Sequence, residues 1–147
     1  MTNELKDLNW NTYIVDFTLP IEPFSKQFTS FGQGRMYKSR KTQVKIDEAI
    51  FLAKVMAPKA PLSGDLVLSV TFYVKMPKSF SRAKRMRCEE GLIRPSKRPD
   101  LSNYVKCIED ILERAGYYFD DKQIVTYKNI RKLYSVDPRI EIKIKEI

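Results

Sequence analysis

The segment from Asn103 to Ala115 sets the first limit on the fold. Tyr104, Cys107, Ile108, Ile111, Leu112 and Ala115 recur there at three- and four-residue spacing, the period of a helix with one apolar stripe. Gly116 follows where a helix end favours glycine, and Ser102 stands in the position of an N-cap. Such a stripe must be buried against another element, and the flanking sequence supplies strands to bury it.

Tyr13, Val15, Phe17 and Leu19 alternate with polar residues before Pro20, which predicts a first strand. Leu66 to Val74 predicts another, with Leu66, Leu68, Val70, Phe72 and Val74 on its more apolar face. Gln123 to Leu133 and Arg139 to Ile144 read as two more strands, and the Asp137-Pro138 turn suggests that they pair as a hairpin. A second helix is expected over Arg40 to Ala57, ended by Pro58 and Pro61, with Val44, Ala49, Ile50, Phe51 and Ala53 as its candidate buried residues. The 147 residues suit one domain spanning 1–147. The expected class is α+β, with a mixed or antiparallel sheet of about four strands and two main helices on one side of it.

Charge narrows the function. Lys and Arg number 27 against 18 acids, a formal charge of +9 that would attract a polyanion. Two segments concentrate it. One runs through Lys26, Arg35, Lys38, Arg40, Lys41 and Lys45, interleaved with Phe28, Phe31 and Tyr37, and reads as a basic loop entering the helix at Arg40. The other runs from Lys78 to Arg98, includes Lys84, Arg85, Arg87, Lys97 and Arg98, and reads as a mobile basic segment. These are the candidate DNA-binding residues, since cationic contacts to phosphates hold nucleic acid without reading its sequence.

The chain contains no histidine, which removes the usual general base near neutrality and the imidazole ligand of zinc. Hydrolytic chemistry would then rest on carboxylates and a hard metal ion. Cys88, read in the basic loop, and Cys107, on the helical stripe, fit a reducing compartment better than a disulfide. No apolar run approaches the roughly 20 residues needed to span a bilayer, and a cytoplasmic protein is expected.

Acidic residues gather around the clearest helix. Asp100 lies just before it, where backbone N–H groups favour an anion, and Asp120-Asp121 follow the Gly116-Tyr117-Tyr118-Phe119 connection. Asn103, Lys106 and Asp110 form a polar stripe on the helix itself. Clustered Asp residues near a Lys suit phosphodiester hydrolysis, in which carboxylates hold a divalent ion and the ammonium faces a phosphate. Asp pairs also cap turns, so the spacing alone leaves both readings open.

The run from Arg98 to Lys106 (RPDLSNYVK), then Asp110, then Ala115 to Val125 (AGYYFDDKQIV), resembles the signature of the RusA family of Holliday-junction resolvases. That signature is approximately K/R-P-D-x-D-N-x-x-K, a helix with one more Asp, and D-D-x-Q-V/I. The closing PRIEIKI from Pro138 to Ile144 resembles the family's last strand. The resemblance implies a bacterial or phage-encoded homodimer in recombination and repair, which nicks four-way or related branched DNA symmetrically with Mg²⁺, or Mn²⁺ as a substitute.

By the same resemblance, Asp100 and Asp121 bind the metal, Asp120 binds or supports it, and Lys106 faces the phosphate. Asn103 orients the site, while Asp110 is either a metal-directed ligand or a structural cap or salt-bridge partner for a basic residue. The family has a second carboxylate two residues after the first, and Ser102 stands there instead, which removes one charged ligand. The competing readings are a DNA binder of the same fold that does not cut, and a strand transferase using Tyr117 or Tyr118.

Overall fold

The computed structural model describes residues 13–26, 30–32, 35–37 and 40–147. Strand β1, Val15–Leu19, buries Val15, Phe17 and Leu19 and exposes the residues between them, as its alternation requires. Two short strands, β2 at Ser30–Gly32 and β3 at Arg35–Tyr37, pair antiparallel within the expected basic loop. Helix α1 covers Arg40–Val55 and turns Ile46, Ala49 and Ala53 inward. Val44 and Phe51, expected in the core, are exposed instead, and Ile46 takes the inner position. A run with apolar residues on several helix faces does not by itself specify which face docks.

Strand β4, Leu66–Lys75, is the spine of the sheet and is buried on both faces from Leu66 to Phe72. Helix α2 follows at Arg82–Glu89 and α3 at Leu101–Arg114. After a 3-10 turn at Asp121–Gln123 come β5 at Ile124–Tyr127, β6 at Arg131–Ser135 and β7 at Arg139–Glu146. The result is an α+β fold on a mixed five-stranded sheet in which β7 lies between β1 and β4, antiparallel to both. On the other edge of β4, β5 pairs parallel with Leu66 to Leu68 and β6 with Thr71 to Lys75. They form one broken edge line, interrupted at Asn129, whose φ is 55°.

The expected hairpin of the last two strands does not form, because β6 and β7 both pair with β4, from opposite sides. Strands two places apart in a sheet are separated by roughly 10 Å, a gap that three residues can bridge. Residues 136–138 make that crossing, and a turn of this length is compatible with either topology.

The basic stretch from Lys78 to Arg98, expected to be mobile, contains α2. Ser81 caps that helix by accepting the Lys84 N–H at 3.2 Å. Cys88 anchors it in a small second core with Met76 and Tyr134, and the Phe80 ring meets Tyr134 edge-on. The main core packs α1 and α3 on the sheet, with Tyr104 stacked on Phe72 and Tyr117 on Phe17. Each fully buried Leu or Ile there is worth about 1.5–3 kcal/mol against exposure. Both cysteines are free and buried. No helix among the described residues is long and apolar enough to cross a membrane.

Candidate metal centre

Helix α3 carries site residues at both of its ends. At its start Asp100, not Ser102, is the N-cap: its carbonyl accepts the N–H groups of Asn103 and Tyr104, while its exposed carboxylate makes no capping bond. Ser102 falls in the first turn and is exposed. The loop before Asp100 is fixed from the sheet, where the Lys132 ammonium on β6 donates to the carbonyls of Lys97 and Pro99 at 2.9 and 3.0 Å.

Along the helix, Asn103 and Lys106 line a shallow depression with Ser25, Lys26 and Cys107. Asp110, one turn beyond Lys106, is ion-paired with Lys26 and, at 3.1 Å, with Arg114. Both contacts make Asp110 a salt-bridge partner in this structure.

The far end of α3 is closed by Gly116, whose φ of 89° allows the chain to reverse. The two tyrosines that follow are buried, and their hydroxyls donate to the carbonyls of Ala53 and Glu109 at 2.7 and 2.6 Å. Burial pushes both phenols well above their ordinary range. A nucleophilic tyrosine needs an accessible oxygen, so neither fits the strand-transferase reading.

The reversed chain then brings Asp120 and Asp121 back beside the last turn of α3. Gln123 holds this return: its side-chain carbonyl accepts the N–H groups of Phe119 and Asp120, and its amide donates to the carbonyls of Leu62 and Gly64. Asp120 caps the 3-10 turn by accepting the Lys122 N–H at 2.8 Å, and that bond holds its carboxyl below the usual range. The Asp121 N–H donates to Glu113 Oε1 at 3.0 Å. Glu113, Asp120 and Asp121 each present a carboxylate oxygen, and these oxygens all lie within 4.8 Å of one another.

One turn back, Glu109 is buried and accepts a short hydrogen bond from the Tyr127 hydroxyl on β5. Burial raises its carboxyl above the ordinary range, the Tyr127 bond and the charge of Lys106 act against that shift, and the charge of Asp121 adds to it. The Tyr127 phenol is itself pushed up to about 12 by burial and by Glu109.

The sequence thus pointed to Asp120 and Asp121 but not to Glu113, Glu109 or the clamp at Gln123. The usable signal was Gly116, since a reversal there returns the chain alongside the last two turns of α3, where those glutamates lie. Asp100 does not join the cluster. Glu113 lies thirteen positions further along the helix, about 20 Å at a rise of 1.5 Å per residue.

Lys97 and Arg98, both exposed, immediately precede Asp100. On α2 Arg87 is exposed, and Lys84 lies over the Phe80 ring at 4.0 Å. Arg85 instead spends its guanidinium on the carbonyls of Phe80 and Pro77, both at 3.2 Å. Arg40 is exposed at the start of α1. Arg35 lies in β3, and Lys38 falls outside the described residues.

An oxygen-only group of solvent-facing carboxylates suits a hard divalent ion such as Mg²⁺, which keeps several waters and needs few protein ligands. Fold and site together define a class: an α+β protein that joins a hard-cation donor set to a cationic surface. The family model for endodeoxyribonuclease RusA matches residues 20–145, and the chain belongs to that family. It is similar to the crossover junction endodeoxyribonuclease RusA of Escherichia coli (strain K12), 26% identical over 137 residues that cover 93% of this chain and 97% of the relative. The RusA of Enterobacteria phage 82 matches with the same identity and coverage. A Bacillus subtilis (strain 168) protein, YqaN, is 40% identical over 92 residues, 61% of this chain and 63% of that relative.

Proposed function

We propose that this protein is a divalent-metal-dependent endonuclease that resolves four-way or related branched DNA by paired nicks and works as a homodimer in the cytoplasm of a bacterial or phage-infected cell. The observation that carries this reading is the gathering of the D-D-x-Q segment and the last turn of α3 into one carboxylate group within a chain of the RusA family.

Asp120, Asp121 and Glu113 would hold Mg²⁺, or Mn²⁺ in its place. The chemistry such an ion supplies is neutralisation of charge at the scissile phosphate and a more acidic attacking water. Lys106 directs an ammonium at a phosphate, and Asn103 sets the surface beside it. Helix α2, with Lys97 and Arg98, holds the flanking backbone by sequence-blind contacts.

Asp100 and its Ser102 neighbour enter through the dimer. Because the Asp100 end of α3 and the Asp121 end lie about 20 Å apart along the helix, one chain does not bring both to a single phosphate. A two-fold axis that sets the Asp100 end of one copy against the carboxylate group of the other generates two equal composite sites. Two sites related in this way match a four-armed substrate cut on opposing strands.

The test is a labelled four-way junction incubated with purified protein, with Mg²⁺ or with chelator. Symmetric nicks that require Mg²⁺ are expected. A protein that shifts the junction on a gel but never cuts it in Mg²⁺ or Mn²⁺ would overturn the enzyme in favour of a binder lacking one ligand at Ser102.

A further inference from the structure

We infer that the sheet face turned away from α1 and α3 carries a phosphate-binding site, filled by a backbone phosphate of DNA; the source of that phosphate rests on the DNA-binding reading above. Leu66, Leu68, Val70 and Phe72 of β4 enter the core with the helices, so by the alternation of a strand Ser69 and Thr71 point to the opposite face. There they border a cavity of about 100 Å³ that Tyr13, Asn129, Arg131, Glu141 and Lys143 also line. It lies where the edge line of the sheet breaks between β5 and β6.

The lining asks for an anion. Ser69 is 6% exposed, and its hydroxyl has no hydrogen-bond partner among the described residues. A buried polar atom in that state costs stability unless a ligand supplies the bond. The Thr71 hydroxyl accepts from Arg131 Nε at 3.3 Å, which sets the guanidinium at the cavity with a fork of N–H groups that matches phosphate oxygens. Lys143, opposite Ser69 in β7, adds an ammonium 5.3 Å from the centre of the Tyr13 ring. The ion pairs among the described residues include neither Arg131 nor Lys143. Glu141 is the one acid in the described lining, and its carboxylate accepts from Arg139 Nε at 3.1 Å. Asp16, across from Lys143 in β1, is exposed and forms no ion pair with it. Two cations and a buried hydroxyl thus converge on a space well above the roughly 10–15 Å³ that one water needs.

Position favours DNA as the source. Tyr127 of β5 bonds Glu109 of α3, one turn from Glu113, and Asn129 follows two residues later, no more than about 7 Å of chain away. Asn129 and Arg131 are both exposed at the cavity. The site therefore lies round the sheet edge from the carboxylate group, within reach of the backbone of an arm that passes the group.

The experiment is run in chelator, so that nothing is cut. It measures the affinity of the full-length protein for a fluorescent duplex and a four-way junction by anisotropy, and thermal unfolding in sodium phosphate against sodium chloride of equal ionic strength. Arg131→Gln with Lys143→Gln is expected to weaken binding of both DNA forms at least about fivefold and to flatten the plot of log affinity against log salt by about one, the share of a single phosphate. It should also lose part of the rise in Tm that phosphate gives the natural protein over chloride. Ser69→Ala removes a neutral donor. It should weaken binding about two- to fivefold at an unchanged salt slope, while unfolding in chloride at the natural temperature or above it. Lys54→Gln with Lys59→Gln, an equal loss of exposed charge away from the cavity, is expected to leave both measurements close to natural.

If the Arg131–Lys143 variant loses the phosphate effect on Tm and binds DNA as the natural protein does, the site takes free phosphate and the DNA assignment is overturned. If phosphate raises the Tm of both forms equally and DNA binding is unaltered, the site itself is overturned. Equal weakening by the Lys54–Lys59 variant would overturn it as well, since net charge would then suffice. A natural protein that binds neither DNA form removes the DNA-binding reading, and this inference falls with it.

Discussion

Asp121 combines two separable features, a backbone N–H given to Glu113 and a carboxylate in the group proposed to hold the cation. Asp121→Asn keeps the first and removes the second. It should reduce junction cleavage at least about a hundredfold, the effect of losing roughly 3 kcal/mol at the transition state. Junction affinity in a gel-shift titration should stay within about twofold of the natural protein, because phosphate contacts set binding. Ser102→Asp makes the converse change. An acid in the first turn of α3 agrees with the helix dipole, so stability should change little and cleavage should reach half-maximum at lower Mg²⁺. Equal metal dependence of the two forms would show that Ser102 faces away from the ion. Glu109 offers a prediction in pH. Its folded carboxyl is raised above the ordinary range, so its contribution to stability is complete at low pH and is lost as pH rises through the carboxylate range. Glu109→Gln cannot titrate and still accepts from Tyr127. In chelator, its urea midpoint relative to the natural protein should therefore climb as pH rises above the ordinary glutamate value of about 4.3. A constant difference would argue against the buried charge. The Asp positions were legible in the sequence because spacing and motif mark them. Glu109 and Glu113 were not, since on a helix with an apolar stripe a glutamate reads as solvent-facing until the returning chain is placed beside it.

Among the elements, α3 was the easiest to read, because one apolar stripe ending at a glycine leaves little choice. Its start was set two residues late: Ser102 has the composition of a cap, but the Asp100 carbonyl receives the first helical N–H groups. Helix α2 was hidden by its charge. Four of its eight residues are basic, and the feature that makes it a helix is the burial of Cys88 against Tyr134, a contact between distant parts of the chain. A capped, anchored helix presents its cations at fixed spacing, and this makes the basic surface testable. Arg85 is committed to two backbone carbonyls, so replacing it would disturb the helix as well as the charge. Arg87→Gln with Arg98→Gln is the cleaner change. It should weaken duplex and junction binding alike and flatten the plot of log affinity against log salt by about one to two. An unchanged slope would place both residues off the DNA path.

For the whole molecule, the separation of the Asp100 and Asp121 ends makes subunit mixing decisive. Asp100→Asn and Asp121→Asn homodimers should each be inactive. If the sites are composite, a mixed dimer has one doubly altered site and one natural site, and co-refolded protein should regain single nicks at about half the natural rate per mixed dimer. If each site lies within one chain, mixing restores nothing. The place of β7 between β1 and β4 has a further consequence, and it concerns time. Val15 pairs with Ile144, and β7 is the one strand that pairs with β1 among the described residues. Closing contacts so far apart in the chain is slow, which favours a late docking of β1 onto a sheet already formed from β4 and β7. In stopped-flow refolding, Ile142→Val on β7 should slow folding, whereas Val15→Ala on β1 should leave the folding rate nearly unchanged and accelerate unfolding. The natural chain should accordingly pass through a stage in which the sheet, already built on β4 and β7, has an open edge waiting for the first strand.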